Sequence, residues 1–242
     1  MAHELYNQLS KYTDASYRRN KNYQQEVDFM LRRVGNTAAP RILIDVACGS
    51  GGHAELLTDA GFEVYAVDLS SAMLRLLKQN LPNVKVFKQD MRNLRVPVKA
   101  DLLICMYNSI NYNYSYAELY ATLQRFYDHL KPGGVLIFDT AFMSHTWKPG
   151  PFSIETITTP EFEVARVNKS YKTRSFGIVD IVYVIFEKGL KKIVETQNKI
   201  FLPDQKRIVT LMKQTGFKTK VYFDFSDTKR NGTVYLFVGR KE

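Results

Sequence analysis

Three carboxylates recur at corresponding points of the first hundred residues. Asp45 closes the apolar run Ile42-Leu43-Ile44, Asp68 closes Glu63–Val67, and Asp90 follows Val84–Lys88. Directly after Asp45 comes Val46-Ala47-Cys48-Gly49-Ser50-Gly51-Gly52-His53-Ala54, a glycine-rich turn that runs into a helix-compatible stretch ending near Ala60. Glycines at such a turn let the backbone approach a nucleotide-like ligand closely. Gly49, Gly51 and Ala54 also fit the G-x-G-x-x-G/A spacing of dinucleotide sites. The acids point elsewhere. Two unit charges about 4 Å apart at an effective dielectric near 20 interact by roughly 4 kcal/mol. A pyrophosphate would be repelled by Asp45 and Asp90, and a cation attracted.

S-adenosylmethionine has the complementary features: a sulfonium, an ammonium, a ribose diol and an adenine amine. A carboxylate can accept from two ribose hydroxyls at once, which suits Asp68 at the second strand end. Asp90 suits the adenine amine, and Asp45 the ammonium side or the loop backbone.

Elements of a particular kind must bring these residues to one crevice. Apolar runs at Arg41–Val46, Glu63–Asp68, Val84–Lys88, Asp101–Tyr107 and Val135–Asp139 read as strands. Between them Ala54–Ala60, Ser70–Asn80 and Tyr116–Leu130 read as helices, the second capped by Ser70 or Ser71 with Met73, Leu74, Leu77 and Leu81 on one face. This alternation predicts a parallel sheet with helices on both faces, whose ligands bind outside the carboxyl ends of the strands. Glu163–Asn168, Ile178–Glu187 and Ile193–Phe201 follow without intervening helices, which predicts an antiparallel insertion of three or four strands. A helix over Gln205–Thr215 and strands over Phe217–Phe225 and Thr233–Gly239 close the chain. Residues 1–39 read as helical, with Val27, Met30, Leu31 and Val34 at helix spacing, a stop at Gly35-Asn36, and a Tyr-rich Tyr12–Tyr23 stretch that forms either a solvated helix or a loop over a pocket. The expected division is a helical lid over 1–39 and a main domain over 40–242. Within it, 145–203 would be an insertion serving as substrate cap or dimer interface.

Four segments together resemble class I S-adenosylmethionine-dependent methyltransferases: Asp45-Val46-Ala47-Cys48-Gly49-Ser50-Gly51, Val67-Asp68-Leu69-Ser70 with Met73-Leu74, Gln89-Asp90-Met91-Arg92, and Leu130-Lys131-Pro132-Gly133-Gly134. The resemblance covers about residues 41–140. It implies a Rossmann-like α/β fold, a seven-stranded sheet of order 3-2-1-4-5-7-6, with the antiparallel insertion after strand five. It also implies S-adenosylmethionine as cofactor. Ala47, Gly49 and Gly51 would then meet its methionine part, Asp68 its ribose, and Leu69 and Met91 the two faces of its adenine. Met73, Asp90 and Met106 would complete that side, with Tyr23 near the cofactor carboxylate.

The fourth strand end reads Cys105-Met106-Tyr107-Asn108-Ser109-Ile110-Asn111-Tyr112, unlike the Asn/Asp-Pro-Pro-Tyr/Phe motif of enzymes that methylate planar amino groups. With Tyr12, the Asn22–Glu26 stretch and the insertion, it is similar to small-molecule N-methyltransferases, among them glycine N-methyltransferase and the aminosugar N,N-dimethyltransferases. Where those aminosugar enzymes often carry His, this chain has Tyr112, which leaves the substrate open. Tyr12, Tyr107 and Tyr112 are the candidates to orient an amine acceptor, with packing at an edge as the alternative reading of each. Arg18 or Arg19 could pair the cofactor carboxylate or lie on a solvated lid. His53 is expected to face solvent, and His129 and His145 have no visible partner.

The formal net charge of +10 permits a polyanion partner, but basic residues are spread along the chain, so nucleic acid is not favoured. No run approaches the roughly 18 apolar residues of a membrane span. The start Met1-Ala2-His3-Glu4-Leu5 lacks the plan of a signal peptide, and a cytoplasmic monomer or homodimer is expected. Two cysteines make neither a disulfide framework nor a metal site, and no cluster has metal-ligand spacing.

Overall fold

The computed structural model describes residues 6–35 and 41–242; the expected boundary at 39/40 and the residues Met1–Leu5 and Pro40 lie outside them. Two helices come first, α1 (Ser10–Asn20) and α2 (Tyr23–Val34). The alternating half follows: β1 (Arg41–Val46), α3 (Gly52–Asp59), β2 (Phe62–Asp68), α4 (Ser71–Asn80), β3 (Lys85–Lys88), β4 (Ala100–Cys105), α5 (Tyr116–Asp128) and β5 (Leu130–Thr140). After it come β6 (Ser153–Thr158), β7 (Phe162–Lys172), β8 (Phe176–Glu187) and β9 (Leu190–Phe201). The chain closes with α6 (Gln205–Thr215), β10 (Phe217–Phe223) and β11 (Tyr235–Lys241).

The large sheet has the order β10-β11-β5-β4-β1-β2-β3. Strands β1 to β5 pair in parallel, and β11 and β10 close the edge antiparallel. With β10 and β11 as sixth and seventh strands this is the expected order 3-2-1-4-5-7-6. The apolar runs are continuous because both faces are covered. On one face Leu43, Leu102, Ile104 and Ile137 pack with Val27, Met30, Leu57 and Leu77 of α2, α3 and α4. On the other Ile44, Leu103, Cys105 and Phe138 pack with Leu123 and Phe126 of α5 and Ile208 and Met212 of α6. Burying each such side chain is worth about 1.5–3 kcal/mol. Helix starts follow local chemistry: Ser70 Oγ accepts from Met73 N at 3.2 Å, and the Asp204 carboxylate accepts from Lys206 N and Arg207 N at 2.9 and 3.2 Å.

The limits of the fourth and fifth strands differ from expectation for reasons that the backbone shows. The fifth strand, expected over Val135–Asp139, starts at Leu130 and carries Lys131-Pro132-Gly133-Gly134 as a bulge: Ala100 pairs Leu130 and Leu102 pairs Val135. Gly133, at φ 78°, takes up the extra length. The fourth strand, expected to reach Tyr107, stops at Cys105 because Tyr107 and Asn108 both adopt left-handed backbone, at φ 59° and 60°.

The second sheet runs β6-β7-β8-β9, all antiparallel. A two-residue turn, Lys188-Gly189, joins β8 to β9 with positive φ at both positions, matching the twist of the strands it connects. The inner face of this sheet has its own core, in which Ile157, Phe162, Val164, Ile181 and Ile185 surround Leu9 and Tyr12. The Tyr12–Tyr23 stretch is thus mostly a helix with a buried side. No helix among the described residues is long and apolar enough to cross a membrane.

Candidate functional site

Strand β1 ends in a loop built for close approach. Ala47, Gly49 and Gly51 have φ of 57°, 56° and 91° before α3 begins at Gly52. Asp68, at the end of β2, fixes this loop to the next one: its Oδ2 accepts from Gly49 N at 2.9 Å and its Oδ1 from Ser70 N at 2.8 Å. Burial raises the Asp68 pKa. Asp45 is 1% exposed, and its Oδ2 has no partner. Burial first, and then the Asp68 charge, push the Asp45 pKa up to about 8. A buried carboxyl group without a partner, in a residue that lines a cavity, suits a cationic group such as the ammonium of S-adenosylmethionine.

The cavity beside these acids is lined by Tyr23, Asp45, Ala47, Gly49, Asp68, Leu69, Met73, Met91 and Met106. Gly51 lies behind it; a Cβ there would fall 2.9 Å from Leu77 Cγ. Asp90 is the correction. It does not line the cavity, and Gln89 and Arg92 do so in its place. Its Oδ1 caps the short 3-10 turn Met91–Asn93 through Arg92 N at 2.9 Å, and Arg92 Nη2 holds its Oδ2 at 2.6 Å. Burial alone would raise the Asp90 pKa; the Arg92 hydrogen bonds outweigh it and hold it below the ordinary range.

One charged residue from the link between α1 and α2, Lys21, also reaches the cavity. Lys21 Nζ donates to Glu26 Oε2 at 3.1 Å and lies 4.3 Å from the Tyr107 ring centroid. His53 corrects the expectation of a solvent-facing position: it is 7% exposed, and its Nε2 lies 2.6 Å from Glu26 Oε2. Burial lowers the His53 pKa, and His53 and Lys21 together hold Glu26 low against its own burial. Tyr23 stands edge-on to His53 at 4.9 Å and covers Gly52, where no Cβ would fit beneath the ring. Arg18 instead pairs Asp14 and Glu55, and Arg19 donates to Thr156 O. Lys21 is therefore the basic residue of this region that lines the cavity. Nothing local in the sequence marks the Lys21–Glu26–His53 group, which forms only when α2 packs on α3. His129 and His145 are engaged structurally, His129 Nε2 by Val96 N at 3.2 Å and His145 Nε2 by Tyr235 Oη at 2.9 Å.

A second cavity lies between α1, the end of β4 and the inner face of the second sheet. It shares Tyr6, Tyr17, Tyr107 and Tyr112 with the first, so these tyrosines form the partition between the two. Tyr6 Oη lies 3.1 Å from Tyr112 Oη, and the Tyr17 and Tyr107 rings meet at 4.5 Å. Burial raises the pKa of Tyr17 and Tyr112 well above the ordinary value, and that of Tyr107 to about 12. Tyr107 is presented there by its left-handed backbone; the buried Asp139 at the end of β5 accepts from Asn108 N at 3.0 Å and steadies that turn. Tyr12 is brought to the second cavity but not to the partition, and its hydroxyl is spent on Glu187 Oε2 at 2.7 Å. Tyr6 and Tyr17 take the place expected for it.

Residues 43–134 match the family described as methyltransferase domain. The chain is 28% identical over 172 residues to the dTDP-3-amino-3,4,6-trideoxy-alpha-D-glucopyranose N,N-dimethyltransferase of Streptomyces venezuelae, covering 71% of this chain and 73% of that one. It is 34% identical over 122 residues to the glycine/sarcosine N-methyltransferase of Halorhodospira halochloris, covering 48% of this chain and 45% of that one. Among solved structures, the sugar N-methyltransferase KedS8 from Streptoalloteichus superposes with a TM-score of 0.83 at 25% identity, over 95% of this chain and 92% of that one.

Proposed function

We propose that this chain, whose residues 43–134 match a methyltransferase domain, is an S-adenosylmethionine-dependent enzyme that methylates the amine nitrogen of a small polar acceptor, an amino-substituted sugar in the first instance. The observation that carries this reading is the shared tyrosine partition: one cavity suits the donor, the other an acceptor, and four hydroxyl-bearing rings stand where they meet.

On the donor side Asp45 would face the ammonium group, Asp68 the ribose, Leu69 and Met91 the adenine, and Lys21 with Tyr23 the carboxylate end. S-adenosylmethionine supplies a methyl carbon already activated by the sulfonium. What remains for the protein is placement: a nitrogen lone pair about 3 Å from that carbon, in line, with water excluded. Tyr107 and Tyr112, joined by Tyr6 and Tyr17, orient the amine. The raised pKa values of Tyr17, Tyr107 and Tyr112 keep these three protonated at neutral pH, so their oxygens accept an amine N–H while their own protons stay in place. They are hydrogen-bonding guides and not bases, and the amine must arrive neutral.

The lid over 1–39 and the insertion over 145–203 are read as the acceptor's cover, in a cytoplasmic protein that is a monomer or homodimer. An RNA substrate is disfavoured because the basic residues are spread along the chain and form no run. Calorimetry with S-adenosylmethionine, then turnover to S-adenosylhomocysteine with amino-substituted sugars, tests the reading. Micromolar cofactor binding and transfer to an amine are expected. RNA as the sole methylated product would overturn it.

A further inference from the structure

The inner face of the second sheet contributes alternate residues to the acceptor cavity, as period-two strands must: Glu155 and Ile157 from β6, Val164 and Arg166 from β7, Val179, Ile181 and Tyr183 from β8. Within this surface Arg166 is conspicuous. It stands directly across from Glu155 on one side and Tyr183 on the other. Its Nε is buried without a hydrogen-bond partner. The nearest carboxylate oxygen, Glu155 Oε2, is 3.7 Å from Nη1, beyond a good hydrogen bond. Glu155 is otherwise engaged, since its Oε1 accepts from Ser16 Oγ at 2.7 Å and Asn20 Nδ2 at 2.6 Å. A guanidinium offers N–H donors in a planar fork that matches carboxylate and phosphate oxygens, and leaving a buried donor unmade is costly.

Two buried acceptor atoms in the same cavity are also unpartnered. Asn111 lines it, and its Oδ1 is buried without a partner while that side chain's nitrogen donates to Phe142 O and Phe201 O at 2.9 and 2.8 Å. Asn198 Oδ1, from β9, is the second. The cavity is therefore lined by a guanidinium on the insertion sheet whose Nε is unpartnered, with two amide side chains nearby whose oxygens are unpartnered. Its partition toward the donor cavity is made of neutral hydroxyls.

Resting on the acceptor reading above, we propose that Arg166 is the specificity-determining residue of this enzyme: it anchors an oxyanion carried by the acceptor and so selects amines that also bear a carboxylate or phosphate group. The anion sits on the second sheet while the amine reaches the tyrosine partition. Asn111 and Asn198 accept from the hydroxyl or N–H groups between them.

The test titrates the protein, loaded with S-adenosylhomocysteine, with acetate and with inorganic pyrophosphate, following tyrosine fluorescence against potassium chloride at equal ionic strength. Wild-type protein is expected to show saturable binding of at least one of the two, and which one binds identifies the oxyanion as carboxylate or phosphate. In Arg166→Gln that binding is expected to weaken at least tenfold, and in Arg166→Lys less than in Arg166→Gln, with S-adenosylmethionine affinity unchanged in both. Binding equal in wild type and Arg166→Gln, or no binding of either ion by wild type, overturns the proposal. Failure of wild type to bind S-adenosylmethionine in a separate calorimetric titration instead removes the methyltransferase reading, and the ion titration of unloaded protein still judges Arg166.

Discussion

Asp45, Asp68 and Asp90 occupy equivalent places in the sequence, yet only two of them face the donor cavity. The difference lies in their neighbours. Arg92 is two residues from Asp90 and neutralises it locally, whereas Asp45 is followed by Val46, Ala47 and Cys48 and stays unpaired. The raised pKa of Asp45, about 8, makes cofactor binding proton-linked. At pH 7 the empty site holds Asp45 largely protonated, and a cationic ligand favours the carboxylate, so binding releases up to one proton and affinity rises with pH toward 8. Calorimetry in phosphate and in Tris at pH 7 should give binding heats that differ by the two buffers' protonation heats, and Asp45→Asn should abolish most of that difference. Without ligand the same group favours folding at low pH, and its contribution fades as pH climbs through the folded-state pKa. Asp68→Ala should weaken S-adenosylmethionine binding by about 1.5–3 kcal/mol, the worth of hydrogen bonds to a charged group. Asp90→Asn, which keeps an oxygen to cap the Met91 turn, should weaken it less; an equal loss would return Asp90 to the ligand.

At the scale of elements, the sequence carried the alternating half well. Continuous apolar runs, Ser70 as cap and the helix stop at Gly216 are local signals, and the strands, helices and sheet order follow from them. What local signals could not carry is where the fourth strand stops. Met106-Tyr107 reads as strand, and only the Asp139 bond to Asn108 N shows why the chain turns there. Tyr12 was legible as a lid tyrosine but not as a clasp, because Glu187 lies far along the chain. Tyr12→Phe should lower stability by about 0.5–1.5 kcal/mol, as loss of one hydrogen bond does, with turnover per folded molecule unchanged. Tyr112→Phe should instead depress turnover with little effect on thermal stability. Gly52→Ala is a test of packing: the added Cβ must displace the Tyr23 ring, at a cost of about 1–3 kcal/mol in stability. Combining it with Tyr23→Ala should restore part of the loss, measured by denaturant unfolding.

At the scale of the molecule, α1 is the strap between two separately cored sheets. It holds the second sheet through Tyr12 and Lys11 to Glu187, Ser16 and Asn20 to Glu155, and Arg19 to Thr156 O. It holds the first through Ser50 to Asp14 and Arg18 to Glu55. Hydrogen exchange on adding S-adenosylhomocysteine should therefore slow in the loops at 47–52 and 69–73 and in the Lys21–Glu26 link, with β7 and β8 unchanged. Uniform slowing across both sheets would mean that the two cavities are not independent.

Among the described residues, the cores of the two sheets share no buried side chain. That separation has an evolutionary meaning. On the proposed reading, substitutions at Val179, Ile181 or Asn198 would reshape the acceptor cavity without altering a residue that lines the donor cavity. Such a fold can diversify its product range one side chain at a time, and its lineage need never rediscover how to hold the methyl donor.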